Sequence, residues 1–196
     1  SYHHLPSHLK RCFDYCAVIP KDYVFKEKEI VLMWMAEGLI HGSEGNQQTE
    51  DLGCEYFREL VSISFFQPSS TDNSEFIMHD LINDLAQVVA GKMCSRLDNK
   101  VDGGSQNKIA QKARHLSYTS SYYDGIKRFE VLKEVECLRT FLPFTSSDYF
   151  PERYITSYVL FDLLPKLKCL RVLCLSKYRI IELPDSIGDL KHLRYL

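Results

Sequence analysis

Apolar residues recur every three or four positions in four segments of the first half of the chain, which is the spacing of amphipathic helices. These segments cover residues 6–18, 26–40, a stretch beginning near residue 49, and 80–91. Pro20 follows the first segment and Gly38 marks the end of the second, and both residue types are typical of helix ends. Thr49 is the predicted N-cap of the third helix, because its hydroxyl can accept a hydrogen bond from the first turn.

Two short runs between the third and fourth helices have the composition of β-strands. They are residues 63–66 and 75–78, and the turn-forming residues 68–74 join them. Three helices followed by such a hairpin make a winged-helix arrangement. We therefore predict an α+β fold, with a winged-helix domain at residues 1–96 in which the small β-hairpin is the wing.

The hydrophobic period changes after a polar stretch that contains Gly103 and Gly104, and residues 97–112 are the predicted linker. Residues 114–118 and 138–142 are strand-like. Farther on, Leu170 and Leu173 recur as Leu193 and Leu196, 23 residues later. A period of about 20 to 29 residues is typical of leucine-rich repeats. Residues 113–196 are therefore predicted to form the N-terminal cap and first repeats of an α/β leucine-rich-repeat solenoid.

Composition and charge narrow the possible functions. The 196 residues are 45% hydrophobic, enough for one good core or two small ones, and the net charge of −2 gives no overall attraction to nucleic acid or anionic membranes. Seven cysteines without a CxxC pair favour reduced thiols and hence a cytosolic or nuclear compartment. The sequence has no apolar run of the length that a membrane span needs.

The sequence gives little support for a metal site or a catalytic site. His4, His8, Cys12 and Cys16 have the residue types of zinc ligands, but ligands spread along twelve residues of one helix span about 18 Å, far more than one zinc ion can bridge. A cysteine-dependent enzyme is an alternative that only spatial pairing of cysteine and histidine could reveal. The sequence has no nucleophile elbow and no GxxxxGK[ST] loop, so we predict no catalytic and no metal-binding residues.

A DNA-binding winged helix is the main alternative function. Such proteins need lysine or arginine on the third helix and the wing to contact phosphates. The charged residues after Gln48 and up to Asp80 are one base, Arg58, and seven acids: Glu50, Asp51, Glu55, Glu59, Asp72, Glu75 and Asp80. This balance repels a duplex, so no nucleic-acid partner is expected.

Met78, His79 and Asp80 lie where the second predicted strand meets the fourth helix, and two interpretations are open. Asp80 is a favourable first-turn or N-cap residue, with Met78 pointing inward and His79 filling the turn. Alternatively, a histidine beside a helix N-terminus is well placed to contact a phosphate through its ring N–H and backbone N–H groups.

Several motifs, in their order along the chain, resemble those of coiled-coil-type plant disease resistance proteins with a nucleotide-binding module and leucine-rich repeats. They are residues 9–13 (LKRCF), 15–17 (YCA), 20–23 (PKDY), 34–38 (WMAEG), 78–80 (MHD), 112–117 (KARHLS) and 183–187 (LPDSI). The resemblance implies an internal segment of such a protein: the winged-helix part of the nucleotide-binding module, followed by the first repeats.

The same resemblance implies a switch controlled by ADP and ATP in the full-length parent. His79 would contact the ADP phosphates and Asp80 would support the turn, while the nucleotide-binding domain of the parent would carry the phosphate-binding loop that this segment lacks. The isolated segment is accordingly expected to hold no nucleotide. The parent would reside in the cytoplasm, with the nucleus or the plasma-membrane periphery as further sites, and would oligomerise on activation.

The repeats imply a second set of functional residues. Val172, Cys174 and Ser176 would face solvent on the concave side and contact a pathogen effector or a guarded host protein. Tyr178 occupies the position at which the repeat usually has asparagine, and this departure bears on the regularity of the turn.

Overall fold

The amphipathic segments of the first half form four α-helices, and a left-handed glycine ends the second of them. The helices are α1 Ser7–Tyr15, α2 Glu27–Glu37, α3 Asn46–Ser62 and α4 Asp80–Ala90. Short 3-10 helices at Tyr2–His4 and Cys16–Val18 flank α1. Gly38 follows α2 with φ of 73°, and its N–H caps the helix by donating to the carbonyl of Met35, as its position in the sequence predicts.

These elements belong to a computed structural model that describes residues 2–41, 46–69, 72, 74–97, 112–135, 137–145 and 152–196. The described residues fall into two compact units, Ser1–Gly91 and Lys92–Leu196. Within these ranges, no helix combines the length and the apolar character that crossing a bilayer requires.

A three-stranded antiparallel sheet completes the first unit. Its strands are β1 Phe25–Lys26, β2 Gln67–Pro68 and β3 Glu75–Ile77, in the order β1-β3-β2. The predicted strand at residues 63–66 is wrong: these residues turn back after α3, with Ser64 at φ of 63° and Phe65 N donating to Leu60 O at 2.9 Å. A short apolar run reads as a strand, but here Phe65 and Phe66 are buried from within a turn.

The start of α3 also differs from the prediction. The helix begins at Asn46, so Thr49 lies within its first turn and is not the N-cap. The polar residues that open α3 carry no apolar periodicity, and this hid the first turn from the sequence pattern.

Aromatic side chains around Phe57 of α3 form the centre of the first unit. The Phe57 ring lies 4.9 Å from Phe76, 5.1 Å from Phe66, 6.2 Å from Trp34 and 6.3 Å from Phe25, between ring centroids. Phe57 is fully buried. Its ring therefore links α2, α3 and the sheet into one core, and aromatic contacts of this kind add to the burial of apolar area.

Gly53 lies where α3 packs closely against α2 and the residues just after it. A Cβ added there would lie 2.6 Å from side-chain carbons of both Val31 and Ile40. Gly53→Ala should lower the free energy of unfolding by about 1 to 3 kcal/mol, because overpacking outweighs the helix preference of alanine, about 0.5 to 1 kcal/mol. Urea denaturation followed by Trp34 fluorescence measures this change.

Gly188→Ala is the matched control, because an added Cβ there meets no atom within 4 Å. It should leave the midpoint unchanged or raise it slightly. If Gly53→Ala lowers the free energy of unfolding no more than Gly188→Ala does, α2 and α3 accommodate the added methyl group and the predicted overpacking is wrong.

Four strands of the second unit form a parallel sheet. They are β4 Cys94–Leu97, β5 His115–Thr119, β7 Thr140–Phe144 and β9 Val172–Leu173, in that order, and a bridge between Val172 and Tyr195 extends the sheet. Strands at β5 and β7 are where the sequence predicts strand-like segments. Short helical segments follow the later strands at Ile126–Glu134, Val159–Leu163, Leu164–Lys166 and Asp185–Asp189.

The boundary between the units differs from the predicted one at residue 96. Cys94 pairs with His115 and Leu97 with Tyr118, so β4 is an integral strand of the second unit and the boundary follows Gly91. Leu97 therefore belongs to a strand and not to the predicted linker. Residues 98–111 of that linker, with Gly103 and Gly104, lie outside the described residues.

One arginine recurs at the same point of four successive turns of the second unit. Arg139 N donates to Arg114 O at 2.7 Å, Arg171 N donates to Arg139 O at 2.7 Å, and Arg194 N donates to Arg171 O at 2.9 Å. This backbone ladder runs just before the strands and fixes the register in which the turns stack.

Leucine, phenylalanine and tyrosine side chains from the strands and the helical segments share one apolar cluster. Its fully buried members include Leu116, Phe129, Phe141, Leu164 and Leu173. A smaller parallel pair, β6 Tyr123–Asp124 with β8 Tyr154–Ile155, lies in the connections of the same unit.

Candidate functional site

The predicted sensor residues lie at the start of α4. Met78 is buried, whereas His79 and Asp80 are exposed. His79 is the N-cap: its backbone is extended, with φ of −60° and ψ of 148°, and its carbonyl accepts hydrogen bonds from the N–H groups of Ile82 and Asn83, both at 2.9 Å. The His79 side chain makes no capping hydrogen bond with its own helix. Asp80 is the acidic residue of the first turn, where the helix dipole favours a carboxylate.

Two side-chain amides fix α4 to the turn that follows α1. Asn83 is fully buried, and its Nδ2 donates to Ile19 O at 3.0 Å. One turn later, Gln87 Nε2 donates to the carbonyl oxygen of Ala17. An ion pair of 2.6 Å between Lys21 and Asp84 adds an exposed contact. We call these three interactions the α4 clamp.

The buried face of α4 is narrow and partly polar. Its buried residues are Asn83, Ala86 and Ala90, while Leu81 and Val88 are 73% and 77% exposed. The apolar residues that indicate this helix in the sequence therefore include two on its outer side. The sequence analysis does not predict the clamp, because isolated amides in an amphipathic helix resemble surface residues. The spacing of Asn83 and Gln87, four residues apart and beside two alanines, is the signal that places both amides on the buried face.

The three predicted concave residues of the second unit have different environments. Val172 is fully buried between Thr140 and Tyr195, its neighbours on adjacent strands, so its prediction as a solvent-facing residue is wrong. Cys174 is partly exposed and Ser176 is exposed, and the Cys174 Sγ and Ser176 Oγ atoms are 3.2 Å apart. Val172 lies in a strand with a neighbour on each side, whereas Cys174 and Ser176 follow the end of β9.

A buried polar network was not predicted from the sequence. Asp124, only 1% exposed, pairs with Arg128 at 2.6 Å between Oδ1 and Nη1. Arg128 also donates to Thr119 O at 2.6 Å, and its guanidinium lies 5.0 Å from the ring centroid of Tyr118. The Tyr178 hydroxyl donates to Asp124 Oδ2 at 2.5 Å and lies 2.9 Å from the Tyr118 hydroxyl.

Burial is the main cause of raised pKa values for Tyr118 and Tyr178, and the nearby Asp124 carboxylate acts in the same direction. Both hydroxyls therefore stay protonated as hydrogen-bonding groups over the physiological range. The departure at Tyr178 from the usual asparagine has a structural explanation, because the longer side chain reaches Asp124 from a buried position. The network thus ties the turn after β9 to the turn after β5.

The charges of α3 disfavour the alternative of DNA binding. Its acids are Glu50, Asp51, Glu55 and Glu59, and its base, Arg58, lies 3.7 Å from Glu27 of α2. A helix with this balance does not attract phosphates.

Comparison with known proteins agrees with this fold. Residues 18–86 match the winged helix domain of disease resistance proteins, which confirms the predicted fold of the first unit. Putative disease resistance RPP13-like protein 1 of Arabidopsis thaliana is 41% identical over 100% of this chain and 18% of its own length. In Solanum bulbocastanum, the putative disease resistance protein RGA1 is 37% identical over 100% of the chain, and disease resistance protein RGA2 is 36% identical over 98%.

The chain therefore belongs to the family of plant disease resistance proteins. The family resemblance predicted from its motifs is confirmed. The chain spans less than a fifth of the length of these relatives, with 18% of the Arabidopsis protein and 16% of each Solanum protein covered.

Proposed function

We propose that the chain is a regulatory, non-enzymatic part of a plant intracellular immune receptor that acts in the cytoplasm. In this proposal the first unit couples the nucleotide bound elsewhere in the parent to the activity of the receptor. The observation that carries it is the exposed His79 at the N-cap of α4, within a winged helix of the disease resistance family. Its relatives are named as disease resistance proteins, which supports the role in defence.

ADP held by the nucleotide-binding domain of the parent is the proposed ligand of His79. Helix N-termini favour phosphates, because the first-turn N–H groups and the helix dipole both face the anion. The His79 ring is exposed and makes no cap with its own helix, so it is available as an additional donor. Asp80 supports the first turn, and buried Met78 anchors the chain before it. Exchange of ADP for ATP would weaken the contact and let the receptor oligomerise.

The α4 clamp gives the proposed contact a route into the rest of the first unit. Asn83 and Gln87 hold α4 against the carbonyls of Ile19 and Ala17, so α4 and the turn after α1 move together. The Asn83 contact is buried, and removing its amide donor costs about 1 to 3 kcal/mol. A change in the contact at His79 would therefore be transmitted along α4 to the turn after α1.

The second unit is the proposed start of a leucine-rich-repeat solenoid. Its parallel strands follow one another in chain order, short helical segments connect β5 to β7 and β7 to β9, and one apolar cluster joins the turns. These features, together with the 23-residue repeat, are typical of such solenoids. Cys174 and Ser176 would contribute to the surface that contacts a pathogen effector or a guarded host protein.

The test is to express the full-length parent with Asp80→Val or His79→Ala in leaf tissue without a pathogen. A hydrogen bond to a charged group contributes about 1.5 to 3 kcal/mol, and each 1.4 kcal/mol changes a two-state equilibrium about tenfold. We expect Asp80→Val to raise the active population by about ten- to a hundredfold. Cell death and the ADP content of the purified receptor measure the effect.

Val88→Ala is the matched control, because it changes a side chain of the same helix that is 77% exposed and that belongs neither to the helix N-terminus nor to the α4 clamp. It should stay inactive and retain ADP. If the Asp80 and His79 variants accumulate normally, keep their ADP and remain silent, the two residues serve only to start the helix and the proposed sensor role is wrong.

A further inference from the structure

Two cysteines lie side by side on neighbouring turns of the second unit. The Sγ atoms of Cys137 and Cys169 are 2.9 Å apart and share a hydrogen bond. Cys137 is exposed and Cys169 is partly exposed. Solvent and small solutes can therefore reach the pair.

The strand register places these two residues together. Thr140 of β7 pairs with Val172 of β9, and each cysteine lies three residues before its strand. Arg171 N donates to Arg139 O, so the turns remain stacked upstream of the strands. Adjacent strands are about 4.7 to 4.9 Å apart, and a disulfide needs Cα atoms about 4.4 to 6.8 Å apart. The backbone spacing of two adjacent turns therefore suits a disulfide.

Both turns carry cysteine at this point within the same tripeptide, Cys-Leu-Arg. It occurs at residues 137–139 and 169–171, and the next turn has His192-Leu193-Arg194 at the equivalent place. The pairing is thus limited to two turns, because histidine occupies the third position of the column.

The other close cysteines have a different environment. Cys12 and Cys16 are buried in the first unit, and the Cys16 thiol donates to the carbonyl oxygen of Cys12 and not to its sulfur. Burial raises the pKa of Cys12 to about 12, which keeps that thiol protonated and unreactive. The geometry and the access to solvent therefore distinguish the Cys137–Cys169 pair.

The groups around the pair shift the pKa of Cys169 in opposite directions. The hydrogen bond with Cys137 is the main cause of a raised pKa at Cys169, with burial and the Cys137 charge adding to it, while the guanidinium groups of Arg139 and Arg171 lower the pKa. The pair rests as hydrogen-bonded thiols, and the two arginines stabilise any thiolate that forms.

We propose that Cys137 and Cys169 are a redox-responsive pair that a hydroperoxide closes into a disulfide. The sulfur of Cys137 attacks the peroxide, an S–O bond forms, the O–O bond breaks, and the leaving oxygen takes the thiol proton to become water or an alcohol. The Cys169 sulfur then attacks the Cys137 sulfur. An S–S bond forms, the S–O bond breaks, and the departing hydroxide leaves as water with the Cys169 proton. Two thiols are oxidised by two electrons and one peroxide is reduced.

The bond would link the turns before β7 and β9 and restrict their separation. A covalent link across a loop of this size limits the unfolded chain and stabilises the folded one. The inference is independent of the nucleotide sensor proposed for the first unit, because the two cysteines lie in the second.

The experiment treats the dilute 196-residue chain with hydrogen peroxide, alkylates the remaining thiols under denaturing conditions and digests it with trypsin without reduction. Mass spectrometry should find residues 134–139 linked to residues 169–171, with five of the seven cysteines alkylated. The melting temperature should rise on oxidation and return after dithiothreitol.

Cys174→Ser should keep the link, whereas Cys137→Ser and Cys169→Ser should each abolish both the link and the change in melting temperature. Circular dichroism confirms that each variant is folded before oxidation. Any of three results would overturn the proposal: links to other cysteines, links only between chains, or complete alkylation of Cys137 and Cys169 after other thiols have been oxidised.

Discussion

Asp124→Ala should destabilise the second unit by about 3 to 5 kcal/mol, because it leaves the charge of Arg128 without its buried partner. The Arg128 side chain is 15% exposed, and the hydroxyl of Tyr178 loses its acceptor in the same variant. Urea-dependent hydrogen exchange of peptides from residues 112–135 measures the loss. Since whole domains are stable by only about 5 to 15 kcal/mol, this single change should shift the transition strongly.

Glu152→Ala is the matched control for an acid paired with arginine in the same unit. Glu152 contacts Arg179 at 2.8 Å, but both side chains are about half exposed or more, at 49% and 59%. Solvent screens such pairs, so the transition should not move measurably. If Asp124→Ala prevents folding, the double variant Asp124→Leu with Arg128→Met should recover it, because removing both charges leaves none unpaired. Equal effects of the two alanine variants would contradict a special role for the buried pair.

Phe57→Ala should destabilise the first unit by a similar amount, about 3 to 5 kcal/mol, which is typical when a buried aromatic side chain is removed from a core. Phe57 is fully buried and contacts four other aromatic rings. Trp34 is the only tryptophan of the chain and lies 6.2 Å from Phe57 between ring centroids. Its fluorescence during urea unfolding therefore reports on this core directly.

Phe161→Ala makes the same chemical change at a site that is 46% exposed in the second unit. The Trp34 transition should stay where it is in the unaltered chain. A Phe57→Ala midpoint within error of the Phe161→Ala midpoint would show that Phe57 contributes little to the stability of the first unit.

Local patterns predicted much of the first unit. The helices were visible because their apolar residues follow the helical period, and Gly38 marked an end that requires a positive φ. Phe65 and Phe66 misled the prediction, since a short apolar run does not distinguish a strand from a buried turn. The sequence pattern predicts residues 94–96 as the end of the first domain and Leu97 as linker, because the pairing of β4 with β5 depends on residues that follow a polar stretch.

Contacts between distant residues account for what was missed at the candidate sites. His79 and Asp80 lie at the strand-to-helix junction, where the sequence places them, but the amides that position their helix act on carbonyls far away along the chain. Asp124 and Tyr178 look like ordinary turn residues until the stacking of turns brings them together. The Cys-Leu-Arg repeat did contain the information that pairs Cys137 with Cys169, given the parallel register.

The α4 clamp also has a consequence for the order of folding. Asn83 and Gln87 reach carbonyls that are 64 and 70 residues earlier in the chain, whereas the paired strands β5 and β7 lie much closer together in sequence. Closing a longer loop costs more entropy, and contacts between distant residues slow folding. We therefore expect α4 to dock late, after α1 and the turn that follows it have formed. Until that step α4 lacks the contacts that hold it, so a newly made chain acquires a fixed His79 only when the whole unit has closed.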